Sequence, residues 1–212
     1  MNALIRTALA TSALVALALL PTHACAVQYG IARAYIVDNA GNQLNQAAGS
    51  DLTNDCGMFR FSTSYMWKNN NAIVNLPATP YTATGWCTDY YEQTKNFNIS
   101  LNTTTQVWFY LQRPLLKLSF APTSITAGNT SIATVTLRNI ADSANVKVHN
   151  NIVLTLTSAN TAVATVPASV TVNAMASTAT FTVTGVAAGT SLITATPGWS
   201  GGTAVSATIT VN

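Results

Sequence analysis

The chain has 212 residues, 49% of them hydrophobic and only 7% charged, with a formal net charge of +3. Disordered chains are short of apolar residues and rich in charge, so this composition excludes intrinsic disorder; it predicts folded domains with surfaces of Thr, Ser, Asn and Gln. The basic residues nowhere run together, which excludes an electrostatic footprint for nucleic acid.

Residues 1–26 read as a secretory signal. Arg6 supplies the positive end, Ala8 to Leu20 the apolar core, and Ala24-Cys25-Ala26 a small-x-small cleavage site. The apolar run is short for a bilayer span. Loss of Arg6 takes the basic count from 9 to 8, and 8 − 6 leaves a mature charge of +2. A rival reading makes Cys25 the lipid-bearing first residue of a lipoprotein, although Thr22 and His23 stand where a lipobox wants a Leu-like and a small residue. If Cys25 leaves with the leader, Cys56 and Cys87 remain, and an exported chain most simply joins them. A bridge closing a loop of about thirty residues stabilises by about 3 kcal/mol.

Residues 27–113 form the first predicted domain. Tyr29 to Val37 reads as a strand with Ala32, Ala34 and Ile36 on one face and Ile31, Arg33, Tyr35 and Val37 on the other. Asp38-Asn-Ala-Gly41-Asn-Gln is a turn in which Gly41 takes positive φ. Cys56-Gly-Met-Phe-Arg-Phe61 begins a second strand, with Phe59 and Phe61 pointing into one core. Phe97, Ile99 and Leu101, then Val107, Phe109 and Leu111, mark two further runs joined by a hairpin turn at Asn102-Thr-Thr-Thr, with Trp108 and Tyr110 on the reverse face of the second. The Gly30-Ile-Ala-Arg-Ala-Tyr-Ile-Val-Asp38 strand, the Gly turn and Thr53-Asn-Asp-Cys-Gly57-Met-Phe-Arg-Phe61 together resemble the carboxypeptidase-regulatory-like or collagen-binding B-type sandwich. Arg113-Pro114 ends this domain, because proline breaks a ladder and restrains its predecessor. The next strand starts almost at once, so the linker is short and the relative orientation restricted.

Residues 114–212 form the second predicted domain. Leu116, Leu118 and Phe120 open it; Ala133, Val135 and Leu137, then Ile152, Leu154 and Leu156, follow at a two-residue period. Val170 and Val172, then Phe181 and Val183, alternate with threonine, and Val205, Ala207, Ile209 and Val211 close the chain. Seven or eight strands without cysteine are expected. Ser158-Ala-Asn-Thr-Ala-Val-Ala-Thr-Val-Pro-Ala-Ser-Val-Thr-Val172, followed by Ala179-Thr-Phe-Thr-Val183, is similar to the bacterial Ig-like module of invasin and intimin type, over about Leu116 to Val211. The resemblance implies a spacer or adhesive stalk and carries no catalytic residue. The expected fold class is therefore all-β: two tandem antiparallel β-sandwich domains after a cleaved signal peptide.

Few side chains suit chemistry. His149, in the polar turn Lys147-Val-His-Asn-Asn, reads as an exposed turn histidine, and no nucleophile motif accompanies it. Asp38, Asp51, Asp55, Asp89 and Glu92 could supply a glycosidase pair only if two faced each other across a cleft; turn capping explains them more simply. The Asp38 turn lacks the ligand spacing of a calcium loop. The seven tyrosines and three of the four tryptophans precede Pro114. Trp67, Tyr81, Trp86, Tyr90 and Tyr91 in or beside the Cys56–Cys87 loop form either core filling or a ligand platform whose ring faces stack on sugars. Trp199 reads as exposed. The expectation is a non-enzymatic secreted or surface protein that acts in adhesion or in an extracellular assembly, with no cofactor, no metal site and no membrane span in the mature chain. Its partners are other extracellular proteins or glycans, a homo-oligomer is left open, and the alternative is a carbohydrate-binding module. A small hydrolase is the weakest reading.

Overall fold

The computed structural model describes residues 28–44, 58–61, 64–68 and 73–212, and only the backbone of 58–61, 64–68, 73 and 74. The proposed leader with Cys25, and Asp51, Asp55 and Cys56, lie outside the described residues, as do the side chains of Phe59, Phe61 and Trp67. Among the described residues every regular element is a strand.

The first half contains β1 (Tyr29–Val37), β2 (Met58–Phe61), β3 (Ser64–Lys68), β4 (Ile73–Pro77), β5 (Pro80–Trp86), β6 (Gln93–Asn98) and β7 (Thr104–Tyr110). They build a three-stranded sheet, β4-β1-β7, and a four-stranded sheet, β3-β2-β5-β6. Ala32, Ala34 and Ile36 of β1 turn inward with Val107 and Phe109 of β7, and meet Tyr81 and Ala83 from the opposing sheet. Burying Phe109 and Ile36 completely contributes about 2–3 kcal/mol each. The far face of β1 is covered too: Tyr35 is buried beneath Trp108, ring centroids 4.0 Å apart and nearly parallel.

Two expectations are corrected here. The hairpin around Asn102 does not form, since β6 bonds β5 while β7 crosses to the other sheet and runs parallel to β1. The crossing gives β1 a second neighbour, from Ile31 N–H on Thr103 C=O to Leu111 N–H on Val37 C=O. Strand β6 ends at Asn98, and Leu101, expected inward, is 40% exposed on the connection. That connection passes so close to β1 that a Cβ on Gly30 would stand 2.2 Å from the Ser100 carbonyl oxygen. The Asp38 turn forms as read, with Gly41 at φ +85°.

The second half contains β8 (Leu115–Ala121), β9 (Ser124–Ile125), β10 (Thr130–Arg138), β11 (Ile152–Ser158), β12 (Ala164–Thr165), β13 (Ser169–Val172), β14 (Thr178–Gly185), β15 (Gly189–Pro197) and β16 (Val205–Val211). The sheets are β12-β14-β10-β8 and β13-β11-β15-β16-β9, the strand order of an immunoglobulin-like sandwich with short additions at the second sheet's edges. Nine strands replace the expected seven or eight because β9 and β12 are only two residues each. Pairing is antiparallel except between β9 and β16. Phe181 and Val183 turn inward while Thr180 and Thr182 stay exposed, as their alternation requires. Two serines are buried in this half and both are bonded: Ser131 to the Pro122 carbonyl, and Ser191 to Ser158 and the Asn160 amide.

Candidate functional site

The polar and aromatic groups converge where the two sandwiches meet. Tyr90 and Tyr91 are adjacent, and extended backbone sends successive side chains to opposite sides. Accordingly Tyr90 packs on the first core and Tyr91 on the second. Tyr91 also forms backbone bridges to both Val148 and Gln112, and its hydroxyl donates to Gln112 Oε1 at 2.5 Å. Burial raises the Tyr91 phenol above its ordinary value of 10.0. Burial does the same to Tyr81.

Around this pair the halves are tied by side chains. The Asp89 amide donates to Asn150 Oδ1 and Asn150 Nδ2 donates back to Asp89 Oδ1, both at 2.9 Å. Asp89 takes φ +67°, a left-handed conformation that aspartate tolerates better than most residues. His149 Nε2 lies 2.9 Å from Glu92 Oε2, and its ring stacks on Trp86 with centroids 4.6 Å apart at 14°. The Arg113 guanidinium sits 5.0 Å above the Tyr90 ring and donates through Nη1 to the Ser200 carbonyl. Each neutral hydrogen bond contributes about 1 kcal/mol net, and each ring contact about the same.

Two clefts flank Arg113. One, of about 350 Å³, is lined by Asp38, Asn39, Tyr90, Gln112, Arg113 and Ile140 among others. The other, of about 190 Å³, lies against Pro114, Trp199 and the loop 201–205. The Asp38 carboxylate holds its own turn: it accepts from the Ala40 and Asn42 amides and from Asn42 Nδ2. The Asn42 side-chain bond leads the causes that hold its pKa below 3.8.

Four of the five platform rings are described. Tyr81 and Trp86 are 4% and 3% exposed, so neither offers a face to a sugar. Tyr90 and Tyr91 are half-buried in the junction, and the Trp67 side chain is outside the described residues. Cys87 is buried in the first core. Two further expectations change. His149 is not a free turn residue but the second half's contact to Trp86 and Glu92, and Trp199 is half-buried against the second core. Glu92 and Asp89 bond across this junction, to His149 and Asn150. Among the described residues the His149 ring bonds Glu92, and no group of three metal-binding side chains occurs.

No protein-family model matches the chain and no curated protein matches it. Solved structures do resemble it. Domains 4 and 5 of the S-layer protein SbsC are 21% identical over 82% of this chain and 78% of that one, with a TM-score of 0.34. The D00-D0 domain of intimin is 14% identical over 73% of this chain and 78% of that one, with a TM-score of 0.39. A glycosyl hydrolase family 2 member from Bacteroides cellulosilyticus is 16% identical over 74% of this chain and 22% of that one, with a TM-score of 0.40. The fold assignment rests on the strand order and register above, not on these similarities.

Sequence reasoning missed Arg113, Gln112 and Asn150. Arg113-Pro114 was legible as a boundary, but nothing local in the sequence marks a boundary arginine as a clamp on a distant loop carbonyl.

Proposed function

We propose that this chain is an exported, non-catalytic protein of the cell surface or extracellular space, in which two domains, 27–113 and 114–212, form one stiff adhesive or structural unit. The observation that carries the reading is the junction: Asp89, Glu92, His149 and the half-buried Tyr90 and Tyr91, which could have served chemistry, fix one sandwich against the other. A surface poor in charge and rich in Thr and Asn, and a leader-like start, support the location. Burial of Tyr81 and Trp86 counts against a sugar platform. Surface location is tested by protease treatment of intact cells and fractionation of the culture, where purely cytoplasmic protein would refute it. Stiffness is tested by small-angle scattering: wild type fits a single two-domain arrangement, whereas a broad ensemble of arrangements would overturn the reading.

The Cys56–Cys87 disulfide belongs to the same proposal. Backbone pairing sets Met58, two residues after Cys56 in the sequence, beside Trp86, the residue before Cys87. Reduction should add two hydrogens to the intact mass, and an unchanged mass removes the bridge.

A further inference from the structure

A sheet edge presents unpaired N–H and C=O groups that will pair with another strand unless something prevents it, and proteins prevent it with lysine, proline or very short edge strands. Among the described residues the four sheets have two edges each, and seven of the eight carry such a device. β3 carries Lys68, β6 Lys95, β8 Lys117 and β4 Pro77. β9 and β12 have two residues and β13 four. β7 has none: Thr-Thr-Gln-Val-Trp-Phe-Tyr is seven residues long, β-prone, free of proline and without a formal charge.

The register says which groups are open. Thr103 C=O and Leu111 N–H bond β1, so the odd-numbered residues face β1 and the even-numbered ones face away. Of these, Tyr110 N–H is taken by Gln93 Oε1, while Thr104, Gln106 and Trp108 have no backbone partner among the described residues. Side chains along the edge are bonded to one another: Trp108 stacks on Tyr35 and bonds Gln106 Oε1 through Nε1, and Lys95 lies over the Tyr110 ring, 5.6 Å away.

We infer that β7 is an association edge and that its partner is β7 of a second copy of this chain. Antiparallel pairing about a two-fold axis at Val107 sets Gln106 of one copy opposite Trp108 of the other, and these two symmetry-related pairs exchange both backbone bonds, while Thr104 falls opposite Tyr110, whose N–H Gln93 already holds. No formal charge opposes its like across the axis. Two three-stranded sheets thereby fuse into one of six, and the contact, being isologous, closes as a dimer rather than growing into a fibre.

Sedimentation velocity of the exported chain across a concentration series tests this, together with amide hydrogen exchange. Wild type should pass from monomer to dimer, with Gln106 and Trp108 amides protected only in the dimer. Gln106→Pro removes an N–H that bonds no described residue of the monomer, and Gln106→Lys sets a charge on the edge; each should raise the dimer dissociation constant at least about tenfold with an unchanged circular dichroism spectrum. The lysine variant carries the test if the proline variant fails to fold. A wild type that stays monomeric to millimolar concentration, growth beyond dimer, or a dimer indifferent to Gln106→Lys would overturn the inference.

Discussion

Asn150 shows how a single residue can hold two sandwiches in register. It accepts from the Asp89 amide and donates to the Asp89 carboxylate, so Asn150→Ala removes both bonds and leaves a partly buried amide unpaired. The expected cost is about 1–3 kcal/mol in chemical denaturation, with loss of the single interdomain arrangement seen by scattering. Acid should act through other residues. Asp38 and Asp142 are both held below 3.8, Asp38 chiefly by the Asn42 side chain and Asp142 chiefly by the Arg138 hydrogen bond. The unfolded chain therefore takes up these protons at higher pH than the folded one. Their stabilisation is complete above 3.8 and is lost as pH falls through the lower folded values. The urea midpoint should fall below about pH 4, and less steeply in Asp38→Asn/Asp142→Asn. An identical fall in that double variant would refute the assignment. His149 was legible only as a polar turn residue, because its partners Trp86 and Glu92 lie in the other sandwich and no local pattern announces a contact across a junction.

At the scale of elements, the strands that alternate Thr with Val, Ile or Phe were legible almost to the residue, since a two-residue period with β-branched outer positions has one stable solution when one face is buried. The strand starting at Tyr29 and the Gly41 turn were equally readable. The route of β7 was not. An alternating run followed by a polar tetrad and another alternating run reads as a hairpin, and only the distant edge of β1 decides that the second run leaves its sheet. The two-residue strands β9 and β12 carry too little pattern to be seen at all. One consequence of the crossing is testable. Gly30→Ala places a methyl against the Ser100 carbonyl and Ile99 Cγ2, and should cost about 1–3 kcal/mol. Thr180→Ala, on an exposed outer face, should change stability by less than about 0.5 kcal/mol. Equal losses in the two would mean that the close approach at Gly30 is relieved without strain.

For the molecule as a whole, the parallel pairs have a mechanical meaning. A pull applied at Tyr29 and carried past Arg113 runs along β1 and β7 in opposite directions, so the whole ladder between them is loaded together instead of being peeled bond by bond. The second sandwich repeats the arrangement in miniature, with β9 beside β16 near its entry and exit. Stretching single molecules between residues 29 and 113 should thus give a higher rupture force than stretching between residues 80 and 98, which opens the antiparallel β5–β6 pair from one end. Equal forces would remove the idea. A protein tethered at one end and tugged at the other would yield last along the seams where a strand near each sandwich's entry lies beside the strand at its exit.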